Sequence, residues 1–300
     1  MTVQETEIEG FKQPLKYDKL NYPNCNCTKC PRMFFNLLSI GARMSGKTYS
    51  LVKLLKHYES NKLINKDGTI HPVRFILISP TTEANPIYTS LNNLDASDIH
   101  EEYSDELLQD IIDDIKAKRK ETDDFKEYQK AYRLIEATDP DKISKLYDKN
   151  PEIFRLLEKH DYSSPNEIEQ PTYYEYPVVF CILDDLMCSS AFTSKHQSKL
   201  TNAIIKNRHL GIVFCILVQA LKSVPKNIRL NSSVFFLSKF ANKKMILEDL
   251  YEEVSNVLKA EEFDELYSHA TSEKYGSLVI DNTGDEKRFL KGFDFELKLV

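Results

Sequence analysis

Residues 33–48 read Met33-Phe34-Phe35-Asn36-Leu37-Leu38-Ser39-Ile40-Gly41-Ala42-Arg43-Met44-Ser45-Gly46-Lys47-Thr48. The first eight form a short apolar run, read as a strand buried on both faces. The next eight fit the phosphate-binding P-loop pattern G-x-x-x-x-G-K-[ST]. Beyond them Leu51, Val52, Leu54 and Leu55 repeat at helical spacing, and the helix fades near His57 to Asn61. A strand before the loop and a helix after it are what the chemistry requires. Gly41 permits the turn out of the strand and Gly46 a close backbone approach. Successive N–H groups of Ala42, Arg43, Met44 and Ser45, with the helix N-terminus, then cradle an anion. Lys47 reaches β- and γ-phosphates, and the Thr48 hydroxyl offers a ligand to Mg²⁺.

A second half-site lies downstream. The apolar run Pro177 to Leu183 ends in Asp184-Asp185. A carboxylate at such a strand end holds Mg²⁺, directly or through water, opposite Thr48, and one placed immediately after it can polarise an attacking water. Asp185 otherwise only caps the next segment. The run Gly211 to Val218 ends in Gln219, which can sense a γ-phosphate or orient the water, or else simply face solvent. Arg208 precedes that run and suits an arginine finger supplied to a neighbouring subunit, a role for which Arg229 and Arg43 compete. No Asn-Lys-x-Asp guanine motif is present, so ATP is favoured over GTP.

The remaining pattern is α/β. Val73 to Ser79 and Ser233 to Ser238 are further apolar strands, and a helix is expected from about Lys195 to Asn207. Strands apolar on both faces and separated by helices describe a mostly parallel central sheet flanked by helices. Residues 98–170 change to an acidic, lysine-rich, helix-periodic composition, with Leu107, Leu108, Ile111, Ile112 and Ile115 at helical spacing. Asp139-Pro140 and Asn150-Pro151 mark new helix starts. We read this segment as a helical insertion projecting from the core. Past residue 243 come helical stretches of roughly 243–258 and 260–270, then a hairpin with strands 275–281 and 287–293. The expected organisation is an extension (1–31), a P-loop core (32–240) carrying the insertion, and a C-terminal extension (241–300).

Composition narrows the partners. The chain has 300 residues, 41% hydrophobic, and a net charge of −6. No apolar run approaches the ~20 residues of a membrane span. The first residues, MTVQETEIEG, have neither the basic nor the apolar region of a secretory signal, so an intracellular setting is the default reading. From Met187 to Leu247 there is no acid, whereas ten cations occur, among them Lys222, Lys226 and Arg229. A window like that in an acidic protein points to a surface that meets polyanions. Cys181, Cys188 and Cys215 read as small hydrophobes. Cys25, Cys27 and Cys30, in C-x-C-x-x-C, offer three thiolates to Zn²⁺ with a fourth ligand from elsewhere, or else belong to a turn-rich loop carrying inert thiols.

Taken together, GARMSGKT after an apolar strand, FCILDDL, NRHLGIVFCILVQ and VPKNIRLN resemble the DNA-packaging ATPases of poxviruses and other nucleocytoplasmic large DNA viruses, in the FtsK–HerA group of P-loop motors. The resemblance covers about residues 32–240. It implies a P-loop strand beside the Gln219 strand, Asp184 on Mg²⁺, Asp185 as base and Gln219 as sensor. It also implies a homo-oligomeric ring that moves double-stranded DNA into a capsid with portal or capsid partners, in the host cytoplasm (viral factory) or the virion. Lys222, Lys226 and Arg229 would then face DNA phosphates. Two other readings stay open: a P-loop kinase or phosphotransferase with a helical lid, and a scaffold that binds nucleotide without turnover.

Overall fold

The structure is a computed structural model describing residues 22–27, 30–81, 85–186, 190–192, 198–240, 251 and 258–299. Strands β1 (Asn24–Cys25), β2 (Asn36–Ile40), β3 (Leu63–Ile64), β4 (Ile70–His71), β5 (Val73–Ile78) and β6 (Ile99–His100) come first. They are followed by β7 (Val178–Asp184), β8 (Ile212–Val218), β9 (Val234–Ser238), β10 (Ser277–Asp281), β11 (Arg288–Lys291) and β12 (Phe295–Leu297). The helices are α1 (Lys47–Ser60), α2 (Asp105–Glu136), α3 (Ile143–Lys149), α4 (Pro151–Glu158), α5 (Lys199–Ile205), α6 (Asn207–Leu210), α7 (Lys226–Leu230) and α8 (Ala260–Ala270).

Nine strands make one sheet in the order β12-β11-β10-β9-β2-β8-β7-β5-β6. From β9 to β6 every pairing is parallel; β10, β11 and β12 add antiparallel to the β9 edge. The fold is therefore α/β, with a mixed, mostly parallel sheet. Apolar side chains alternate between its faces because the strand period is two. Leu38, Ile40, Val179, Cys181, Leu183 and Ile216 share a core with α2, α5 and α8. Leu37, Phe180, Ile182, Cys215 and Leu217 pack on the other face against Leu51, Leu54, Leu55 and Tyr58 of α1. Each fully buried side chain of this size contributes about 1.5–3 kcal/mol. A separate three-stranded sheet, β1-β3-β4, sits beside the end of α1.

Several sequence expectations need correction. The acidic segment does not simply project. It supplies β6 to the sheet, and the first turns of α2 bury Leu108, Ile111 and Ile115 in the main core. Only the later part stands apart, as a small cluster of Tyr128, Ala131 and Leu157 joining α2 to α4. An ion triad, buried at Arg74 and Asp98 and part-exposed at Asp114, fixes this arrangement. Arg74 of β5 forks onto Asp98 at 2.6 and 2.8 Å and reaches Asp114 of α2 at 2.6 Å.

The single helix expected to end at Asn207 is broken at Lys206. Ser198 caps α5, and the Asn207 side chain turns to donate to the Phe34 carbonyl, starting α6. The C-terminal hairpin is present, and β10 pairs directly with β9, so it extends the central sheet. Cys188, Lys195 and most of the helix expected over 243–258 lie outside the described residues.

Candidate active site

Parallel strands deliver their C-terminal ends to one side of the sheet, where ligands of such folds bind. Here β2, β7 and β8 end together, and the Gly41 amide donates to the Val218 carbonyl at 3.2 Å. A cleft of about 460 Å³ opens there, lined by the loop from Arg43 to Thr48 and by Asp184, Asp185 and Gln219. The helix α1 begins at Gly46, whose φ of 94° suits glycine, with no side-chain cap and no acid in its first turn. Its N–H groups are thus turned to the cleft. A Cβ on Gly41 would lie 2.5 Å from Ser45 Oγ and 2.7 Å from Ser238 Cβ, so the loop closes only around glycine.

Two arms face the loop. In the first, Asp184 Oδ2 accepts from Tyr88 Oη at 2.7 Å and from Thr48 Oγ1 at 3.3 Å. Burial pushes the Asp184 carboxyl above the usual carboxylate range; the Tyr88 and Thr48 hydrogen bonds oppose this, neighbouring Asp185 adds to it, and Lys47 opposes it. In the second arm, Asp185 Oδ1 accepts from Gln219 Nε2 at 3.0 Å. Asp185 has a φ of 57°, a left-handed conformation that aspartate tolerates better than most residues. That turn is what sends the two adjacent carboxylates in different directions. Lys47 donates to the carbonyls of Gly41 and Ala42 at 2.9 and 3.0 Å, and burial lowers its proton affinity against the pull of Asp184 and Asp185. Ser45 Oγ is buried without a hydrogen-bond partner.

Because the native pKa of Asp184 is raised, its charge costs stability above the ordinary carboxylate range. The cost is absent well below that range and grows as pH rises through the folded pKa. We therefore expect Asp184→Asn to stabilise the free protein at neutral pH by on the order of 1 kcal/mol, a Tm rise of about 2–4 °C. Thermal melts at pH 7 and pH 3.5 check this, since the difference should vanish at the lower pH.

The other candidates are scattered. Arg208 on α6 is exposed and precedes β8, whereas Gln219 follows it, so the seven residues of β8 separate them by about 23 Å. Arg43 lines the cleft. Lys222 is exposed just beyond Gln219, and Lys226 begins α7. Arg229 lies towards the other end, where Asn36 of β2 bonds Asn231, and its Nε donates to the Val224 carbonyl. On the β8–β9 crossover Lys222 and Lys226 are exposed and Arg229 is half-buried. Tyr88, Thr81 and Asn85, all near the end of β5, and the tyrosines 49 and 275 at the cleft mouth have no counterpart in the sequence reading. A hydroxyl-rich Ser79-Pro80-Thr81 after a buried strand was the available signal for the first group; nothing local marks Tyr275. Away from the cleft, ligand atoms of Cys25, Cys30 and His57 lie within 4.8 Å of one another, a candidate metal cluster.

No protein-family model and no curated protein matches the chain. Among solved structures, similarity is found to the genome packaging NTPase B204 of Sulfolobus turreted icosahedral virus 2 in complex with AMP, at 12% identity and a TM-score of 0.44, covering 85% of this chain and 96% of that one. The same figures hold for B204, the DNA-packaging ATPase of Sulfolobus turreted icosahedral virus. For EssC (ATPases 2 and 3) of Geobacillus thermodenitrificans the identity is 10% and the TM-score 0.42, over 88% of this chain and 41% of that one.

Proposed function

We propose that the chain is an ATPase whose hydrolysis drives movement of double-stranded DNA, as a homo-oligomeric ring packaging a viral genome with capsid or portal partners. The carrying observation is the pairing of two separate carboxylate arms against one P-loop: Asp184 with Thr48 and Tyr88, Asp185 with Gln219.

The residues fit the groups they would hold. The cleft volume falls in the usual range for ligand sites, about 300–1,000 Å³. The unpartnered Ser45 hydroxyl and the open N-terminus of α1 are donors in want of an anion. Lys47, resting on two loop carbonyls, exchanges them for phosphate oxygens. Thr48 and Asp184 make a hard oxygen set of the kind Mg²⁺ takes. When bound there, Mg²⁺ supplies charge neutralisation to the phosphates. Tyr88 holds the Asp184 carboxylate in place, and Asp185 takes a proton from the attacking water while Gln219 orients that carboxylate.

The coupling to DNA is supported by the motif blocks shared with packaging motors and by the acid-free window. Arg208, remote from its own cleft, can serve as a finger only to another copy, which favours a ring. The phosphotransferase reading needs a helical lid, yet no residue of 98–170 lines the cleft. The test is phosphate release with and without duplex DNA at low salt, beside a mass measurement of the assembly. We expect stimulation by DNA of any sequence that fades with added salt, since phosphate contacts carry no sequence information. A monomer whose turnover ignores DNA would overturn the motor reading.

A further inference from the structure

The cleft leaves the N-terminal cysteines unused. The Cys30 amide donates to the Cys27 carbonyl at 3.2 Å. The Cys27 amide donates to Cys25 Sγ at 3.4 Å, an N–H···S contact that favours a thiolate. The third thiol, Cys27, is half-buried in the same stretch; its Sγ is not among the ligand atoms that lie within 4.8 Å of one another, so it must turn inward to complete a set of four. Opposite them, His57 sits in the last turn of α1, where the helix dipole favours a cation. Its ring joins Cys25 and Cys30 with ligand atoms no more than 4.8 Å apart. Tetrahedral zinc, with Zn–S of about 2.3 Å and Zn–N of about 2.0–2.1 Å, needs ligand atoms about 3.5–3.8 Å apart. Small rotations of the side chains cover the difference.

We propose that Cys25, Cys27, Cys30 and His57 form a structural Cys₃His zinc site. Four protein ligands leave no open position, so the site is one of structure and not of catalysis. It pins the segment around β1 to the end of the helix that carries the P-loop at its start. The β1–β3 pairing, with Cys25 opposite Leu63, holds the same two pieces side by side but contributes only two residue pairs. The metal would add to that pairing, to the Asn26–Lys62 backbone bond and to the bond from Tyr58 Oη to the Pro31 carbonyl.

The test is elemental analysis of the full chain, expressed with zinc and passed through gel filtration without chelator. We expect about one zinc per chain, falling below about a tenth in a Cys25→Ser/Cys30→Ser double variant and in His57→Ala, while His57→Cys retains it. Lys47→Ala should keep its zinc, which separates this site from the nucleotide site. Should the cysteine variants fail to fold, Co²⁺ added to the metal-stripped wild-type chain should produce thiolate-to-cobalt charge transfer with tetrahedral d–d bands. A chain free of zinc that also gives no such spectrum, or one holding a Cys25–Cys30 disulfide in its purified state, overturns the proposal.

Discussion

Asp185→Asn should lower the turnover number for ATP about 10²–10⁴-fold, the span ascribed to a positioned general base. Affinity for a non-hydrolysable ATP analogue should stay within a few-fold, because the hydrogen bond of Asp185 goes to Gln219 and not to the P-loop. Asparagine is the informative substitution. It keeps the acceptor for Gln219 and accommodates the φ of 57°, whereas alanine would add backbone strain of order 1 kcal/mol or more. The proton-accepting capacity is removed together with the negative charge that acts on Asp184 and Lys47. Steady-state phosphate release and equilibrium binding of the analogue together read the split; unchanged turnover would reduce Asp185 to a strand-end cap.

The second large effect concerns stability. Arg74→Ala should cost about 3–5 kcal/mol, since it strands the Asp98 carboxylate, itself 6% exposed, without its partner. In a domain of this size about 2–4 °C of Tm is lost per kcal/mol, so the melt should fall on the order of 10 °C. Replacing both partners, as in Arg74→Met/Asp98→Leu, should recover most of the loss, because the penalty is that of an uncompensated charge. Thermal or urea denaturation of the two variants measures this, and a single variant within about 1 kcal/mol of wild type would show that the triad does not anchor β5 to α2.

The strand–loop–helix of residues 36–60 was legible because each piece obeys a local rule: an apolar run, two glycines at fixed spacing, a helical period. Asp184, Asp185 and Gln219 were legible for the same reason, as polar residues ending strands with no other polar atom. The neighbour relation of β2 and β8 came from the motif resemblance, since no local pattern encodes strand order. What stayed hidden depends on distance in the chain. Arg74, Asp98 and Asp114 look like ordinary surface charges until the fold brings them together and buries the first two. The acidic composition of 98–170 masked the core role of α2, because only its first turns reach the main core while its later buried face packs on α4. Tyr88 joined Asp184 across 96 positions, and His57 met the cysteines from the far end of a helix read only as the P-loop's continuation.

The central claim is that the cleft at the ends of β2, β7 and β8 binds ATP and hydrolyses it. Phosphate release from ATP and Mg²⁺ by the wild-type chain and by Lys47→Ala, measured side by side with duplex DNA present, tests it most directly. We predict Mg²⁺-dependent turnover in the wild type and a loss of at least about 10²-fold in the variant, which removes the ammonium from the γ-phosphate. Equal rates in the two proteins, or no turnover in either, would contradict it.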